Sequence, residues 1–191
     1  MSTIVRRHAY AYADYLRMDD ATRDLKLEYI AGDVYAMAGG SVRHSTVSVN
    51  MTRHLANQLD GKLCQVGNSD LRLRVLTTGL ATYPDVSVVC GTLQLDPEDP
   101  SGHTITNPVV LVEVSSPSTK DFDRGEKADH YRTIPSLREL LLVAHDARLI
   151  EVWRRHGDDW TLDVVRDTGQ VELQSIACRL RLDDIYKDPL G

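Results

Sequence analysis

Apolar positions recur along the chain at several spacings, and each spacing predicts an element. Over residues 42–60, Val47, Met51, Leu55 and Leu59 return every fourth residue, the period of a helix with one buried stripe. Ser41 stands ready as its N-cap after the Gly39-Gly40 break, and Gly61 ends it. "AYADYLRM" (11–18) predicts a short N-terminal helix. Residues 26–38 read as two strands joined at Ala31-Gly32-Asp33, a hairpin signal. "DLRLRV" (70–75) alternates, with Leu71, Leu73 and Val75 on one face. Arg72 and Arg74 fall on the other face, which predicts a strand with one wet side. "PDVSVVC" (84–90) and "VVLVEV" (109–114) are apolar on both faces and predict covered central strands. Residues 121–134 predict a helix that stops before Pro135. "ELLLVA" (139–144), "LIEVWRR" (149–155) and "WTLDVVR" (160–166) predict further strands, the last two joined by a turn at His156-Gly157-Asp158-Asp159. "GTLQLDPEDPSGHTITNP" between the central strands reads as a surface loop, and "LDDIYK" near the C-terminus as one helical turn. Helix, hairpin, long helix, strands, helix and strands together predict a mixed α/β domain with helices packed over a central sheet.

Length, charge and cysteines then narrow the class. The 191 residues suit a single domain over 1–191, with a core at about 25–155 and C-terminal strands and a short helix in 156–191. No apolar run approaches the roughly 18 residues that span a bilayer. The N-terminus is basic at Arg6 and Arg7 but has no apolar stretch of a secretory signal. Cys64, Cys90 and Cys178 are odd in number and widely spaced, which predicts reduced thiols and a cytoplasmic location rather than a disulfide framework. A net charge of −6 weighs against broad phosphate neutralisation, although a bound cation reverses the sign locally.

Two acids interrupt the apolar strands. Glu113 nearly closes one and Asp85 opens the other, so antiparallel neighbours would bring both to one sheet edge. Carboxylates that close repel unless protonated or bridged by a cation, and magnesium or manganese takes hard oxygen ligands of this kind. A structural reading stands beside this one: aspartate after proline is a common strand entry, and a glutamate near a strand end can pair with an arginine. In the following helix, Arg124, Lys127, Ala128 and Tyr131 share one face. Docking through Ala128 and Tyr131 would carry Lys127 toward the sheet, where an ammonium can offset charge on an attacked phosphate.

The segments "KLEYIAGDVYAMAGGSVRHSTV", "YPDVSVVCG", "NPVVLVEVSSPSTKDFDRGEKADHYRTIPSLRELLLV" and "IEVWRR" resemble the PD-(D/E)XK phosphodiesterase superfamily, and within it the Uma-two family of restriction-endonuclease-like proteins. The combination "PD … VEVSSPST … DRGEK" carries most of the resemblance. It implies a restriction-endonuclease-like fold: a central mixed β-sheet flanked by helices, with the N-terminal β-hairpin. It also implies a bound Mg²⁺ or Mn²⁺ and hydrolysis of DNA phosphodiester bonds. Asp85 and Glu113 become metal ligands, with Glu28 as a third acid from the first hairpin. The strict motif wants lysine two residues after Glu113, where this chain has Ser115. The resemblance moves that role to Lys127, with Lys120 as the nearby substitute. His44 falls where the family has a histidine that holds substrate or assists proton transfer.

The leading expectation is a magnesium-dependent endodeoxyribonuclease whose site comprises Glu28, Asp85, Glu113, Lys127 and His44. DNA would be gripped by Arg43, Arg53, Arg72, Arg74 and Arg124. The alternative is a non-catalytic module that binds nucleic acid or protein on the same fold. A homodimer is also allowed, through an edge strand such as "WTLDVVR". A serine-hydrolase reading of Ser115, Ser116 and Ser118 lacks the G-x-S-x-G elbow, and "GGSVRH" lacks a P-loop lysine.

Overall fold

The computed structural model describes residues 9–22, 25–37, 39–115 and 123–188, the side chains of residues 123 and 124 excepted. Lys120, Ser116, Ser118 and the Arg124 side chain lie outside the described residues.

The N-terminal helix α1 (Tyr12–Ala21) leads into the hairpin of β1 (Leu27–Ile30) and β2 (Asp33–Ala36). The hairpin turn holds Ala31 and Gly32 at φ of 50° and 95°. Two successive positive φ values give a turn whose twist matches that of the flanking strands. The long helix α2 (Val42–Leu59) starts at Ser41, whose side chain accepts the His44 N–H at 3.1 Å. Three strands follow, the first in one sheet and the next two in another: β3 (Cys64–Asn68), β4 (Arg72–Arg74) and β5 (Ala81–Thr82). The central strands β6 (Val86–Cys90) and β8 (Val110–Ser115) flank β7 (Thr104–Ile105) in sequence. After a π-turn (Asp123–Lys127) come α3 (Ala128–Arg132), β9 (Glu139–Ala144), β10 (Leu149–His156) and β11 (Asp159–Arg166). A ribbon of β12 (Gln170–Leu173) and β13 (Cys178–Arg181), then α4 (Leu182–Ile185), end the described chain.

The larger sheet has the order β11-β10-β9-β8-β6-β3, mixed because β8 and β9 run parallel while the other neighbours are antiparallel. The smaller sheet is β2-β1-β5-β4-β7. On one face of the large sheet, Val86, Val88, Val110, Val112 and Leu141 pack with Met51 and Leu55 of α2 and with the ribbon. On the other face, Leu111, Leu140 and Leu142 pack with Ala128 and Tyr131 of α3 and with Leu73 and Ile105 of the small sheet. The alternating side chains of one strand therefore serve two cores, and β8 is buried along its whole length. β11, the strand considered for self-pairing, forms an edge of the large sheet.

Three expectations change. First, the arginine face of β4 is not wet. Arg72 and Arg74 are 3% and 8% exposed, because α1 lies across them. Arg72 meets Asp19 at 3.2 Å, Asp20 at 2.9 Å and the Tyr83 hydroxyl at 3.1 Å, while the Arg74 guanidinium sits 3.5 Å from the Tyr12 ring centre. Both are structural cations, and neither is available to grip DNA; Arg43 and Arg53 on α2 remain exposed. Second, Cys64 and Cys90 form a disulfide rather than free thiols. The β3–β6 register sets them directly opposite, with Cα atoms 4.0 Å apart. Among the described residues only Cys178 is free, and it is buried. The thiol argument for a cytoplasmic location thus loses its premise. No helix among the described residues is long and apolar enough to cross a membrane. Third, residues 91–107 are not only surface loop: β7 joins β4 in parallel, and Asp96 and Asp99 are buried there.

Replacing Arg72 with methionine strands Asp19 and its neighbours without a cation. Chemical denaturation should report a loss of about 3–5 kcal/mol, as expected when one partner of a buried pair is removed; a loss below about 1 kcal/mol, the scale of an exposed pair, contradicts this account of the α1–β4 contact.

Candidate functional site

The β6–β8 register pairs Val86 with Val112 and Ser87 with Leu111, so Asp85, one residue before β6, stands opposite Glu113. Sequence reasoning required this antiparallel juxtaposition; the apolar faces of the two strands account for their central, covered positions. Asp85 is fixed by the Val114 N–H, which donates to its Oδ2 at 2.7 Å. Glu113 is 5% exposed, on the same side of β8 as Leu111, facing α3.

Lys127 does not face water. It is 4% exposed, and its Nζ lies 3.0 Å from Glu28 Oε1 and 3.1 Å from Glu113 Oε1. The π-turn supplies a local reason. The wider turn at Asp123–Lys127 shifts the helix face just before α3, and such turns recur at functional sites. Ala128 and Tyr131, both fully buried, then dock α3 as the shared helix face predicted. The regular helix is short, Ala128–Arg132, rather than spanning 121–134.

Two partners were not foreseen as part of this cluster. The Tyr131 hydroxyl donates to Glu113 Oε1 at 2.5 Å; burial first, and then the Glu113 charge, push the phenol well above its ordinary pKa, so it stays a donor. The Thr82 hydroxyl donates to Glu28 Oε1. Tyr131 sits four residues after Lys127, and that spacing was a signal for a shared role. Thr82 left no comparable mark, because its meeting with Glu28 depends on β1–β5 pairing between short strands.

His44, in the first turn of α2, reaches the same sheet edge from the other face. Its Nε2 lies 3.3 Å from Asp85 Oδ2. Gly40 makes room for it: a Cβ there would come within 2.7 Å of the ring. The hydrogen bond with Asp85 raises the His44 pKa above its ordinary value against the opposing effect of burial, helped by the Asp85 and Glu113 charges and a backbone hydrogen bond to Val114. All five sequence-predicted residues therefore occupy one connected cluster, with Lys127 joining Glu28 to Glu113 and His44 joining Asp85.

The donor chemistry suits a hard divalent cation in type. Asp85 and Glu113 are adjacent carboxylates, and Asp85 Oδ1 has no hydrogen-bond partner among the described residues. The arrangement falls short of a three-acid shell: among the described residues, no three of His, Cys, Asp and Glu form a ligand group. Glu28 is held on Lys127 and Thr82 instead.

Comparison with known proteins agrees with this architecture. The model of the Uma2 (Uma-two) family, described as "Putative restriction endonuclease", matches residues 12–183. The chain is 40% identical to the uncharacterized Synechocystis sp. protein slr1290 over 176 residues, covering 91% of this chain and 90% of that one. It is 31% identical to sll1609 of the same organism over 162 residues, 84% of this chain and 90% of that one. In structure it resembles a "putative nuclease belonging to DUF820" from Anabaena variabilis, with a TM-score of 0.68, 18% identity, and coverage of 84% of this chain and 89% of the other. The fold is thus restriction-endonuclease-like.

The His44 shift sets a pH dependence in chelator-treated protein. A folded pKa above the unfolded one means that the His44–Asp85 contact stabilises fully below the unfolded pKa of about 6.5 and loses that effect as pH rises through the folded value. The stability deficit of His44→Gln, measured by urea denaturation, should therefore be largest in mildly acidic solution and fade in alkaline solution. A deficit independent of pH contradicts this.

Proposed function

The chain belongs to the Uma2 family of restriction-endonuclease-like proteins, and from that premise we propose that it is a metal-dependent endonuclease that hydrolyses phosphodiester bonds in DNA. The observation that carries the proposal is the burial of Lys127 between Glu28 and Glu113, with Asp85 opposite Glu113 across the strand pair. This supplies the two acids and the amine of the PD-(D/E)XK chemistry even though Ser115 occupies the usual lysine position.

In this reading Asp85 and Glu113 hold Mg²⁺ or Mn²⁺. When bound, the cation supplies Lewis acidity toward a phosphate oxygen and lowers the pKa of a water. Lys127 offsets the negative charge that grows on the phosphoryl oxygens and orients the attacking water, acting where water exclusion strengthens each charge. Glu28 serves as a positioning residue that holds the ammonium, with Thr82 fixing Glu28 in turn. Tyr131 holds Glu113 in one orientation by donating to Oε1. His44, its pKa raised beside Asp85, faces the sheet edge at which a phosphate would arrive, and can bind it or pass it a proton. The exposed Arg43, one residue before His44 on α2, lies where a DNA strand could be held.

One observation favours the second reading, a module on the same fold that binds nucleic acid without cutting it: the lack of a three-ligand group among the described residues. Cleavage of plasmid and linear DNA separates the two. The wild type should cut with Mg²⁺ or Mn²⁺ and not in EDTA. Asp85→Asn and Glu113→Gln should be inactive, and Lys127→Ala should lose about a hundredfold or more, the cost of removing one preorganised group that stabilises transition-state charge. DNA binding without metal-dependent cleavage supports the module, and equal cutting by the wild type and all three variants excludes this site.

A further inference from the structure

On one side the large sheet ends in a strand that is mostly exposed. β11 is the terminal strand, beyond β10, and is eight residues long. The hairpin decides which of its main-chain groups are spare. His156 and Asp159 close a two-residue turn at Gly157-Asp158, and the closing pair of such a turn exchanges both ladder bonds. The Asp167 N–H donates to the Arg148 carbonyl at 3.0 Å in the same alternation. Asp159, Thr161, Asp163 and Val165 therefore bond to β10. The N–H and C=O groups of Trp160, Leu162 and Val164 point away from it, and among the described residues no strand pairs with them. Such a row of main-chain groups is a template for one more strand.

Edges that stay single are commonly blunted by proline, lysine, a bulge or an unmatched charge. β11 has neither proline nor lysine, and its register with β10 runs unbroken from Asp159 to Arg166. Its central charge, Asp163, is already matched by Arg154. The side chains at the outward-bonding positions are apolar. Leu162 and Val164 are 43% and 44% exposed, and they extend a face that holds Trp160 and, opposite Leu162 across the hairpin, Trp153.

We propose that two copies of the chain pair through β11, antiparallel about a dyad at Leu162, and so join two six-stranded sheets into one. The strand is complementary to itself in that register. A dyad perpendicular to the sheet keeps every side chain on its own face, so outward-bonding positions meet outward-bonding positions. With the dyad at Leu162, that residue meets its own copy and Trp160 meets Val164. This gives about six main-chain hydrogen bonds and a continuous apolar stripe. Thr161 then faces Asp163, hydroxyl to carboxylate. At each end Asp158 faces Arg166, and neither forms an ion pair with a described residue of its own chain. A dyad at Val164 would set Leu162 against Arg166, and a dyad at Trp160 would set it against Asp158. Of the three, only the Leu162 register matches apolar with apolar and acid with base. The acid cluster lies outside the contact, with β9 and β10 between β8 and β11, so the pairing does not depend on the reaction proposed for that cluster.

Sedimentation velocity and disulfide trapping of the full chain test this. Over a concentration series reaching the high-micromolar range, the wild type should sediment at twice the chain mass. Leu162→Lys sets like charges opposite each other; it should abolish the dimer and leave the circular dichroism spectrum unchanged. Arg166→Asp should weaken association about tenfold. Asp85→Asn should associate like the wild type. Leu162→Cys should cross-link to its own copy under mild oxidation, because hydrogen-bonded partners in such a pair stand about 5.5 Å apart, within reach of a disulfide. Val164→Cys, about 13 Å from its copy along the strands, should not. Nor should the wild type, whose Cys64 and Cys90 are joined and whose Cys178 is buried. A monomer at every concentration overturns the proposal. So does a dimer that Leu162→Lys leaves intact, or one that is trapped by Val164→Cys and not by Leu162→Cys.

Discussion

An ammonium group buried to 4% exposure is stable in a folded chain only if carboxylates meet it, because removing a charge from water costs several kcal/mol. Lys127 meets two, and they come from distant parts of the sequence: Glu28 from the first hairpin and Glu113 from the central strand. The contact therefore does more than join side chains. It ties the small sheet to the large one and fixes α3 against both, since Ala128 and Tyr131 follow Lys127 into the same core. Loss of Lys127 removes a cation shared by two buried carboxylates, a more costly outcome than the loss of the whole group. The cluster is thus a structural requirement, and the chemistry proposed for it uses groups that the fold already holds in place.

The register of β6 and β8 sets the polarity of the molecule along its strands. At one end Asp85, Glu113, Glu28, His44 and Lys127 gather. At the other, Glu139 pairs with Arg154, and Arg155 is held by the carbonyls of Arg132, Ile134 and Leu137. The interior strands between them are apolar on both faces. The net charge of −6 is thus distributed unevenly between the two ends.

Much of this was legible where one rule decided the outcome. The fourfold repeat of α2, the hairpin turn and the uniformly apolar β8 and β9 all stand as read. Asp85 and Glu113 were visible because an acid in an apolar strand asks for a reason, and Lys127 because its helix face carried Ala128 and Tyr131. Glu28 emerged only through resemblance, since nothing in "LEYI" indicates that a lysine one hundred residues away will reach it. The errors share a cause as well. Arginine alternating with leucine in β4 suggests a wet face, yet α1 brings Asp19 and Asp20 to meet it and Tyr83, just after β5, joins them. Cys64 and Cys90 are 26 residues apart, and only strand register reveals that they are opposite. The spacing of Lys127, Ala128 and Tyr131 suits a regular helix as well as one preceded by a π-turn. The ribbon of β12 and β13 leaves only a short signal, the alternation of Val171 with Leu173 and of Cys178 with Leu180.

The central claim is that Asp85 and Glu113 form a cation site beside a lysine held by Glu28. Anomalous diffraction from crystals soaked in Mn²⁺ addresses it without reference to turnover. The account predicts one peak within about 2.1–2.2 Å of carboxylate oxygens of Asp85 and Glu113, a contact distance typical of small divalent cations, with Lys127 still against Glu28. Full-occupancy manganese at other residues only, with both acids bound to nothing but protein, would contradict it.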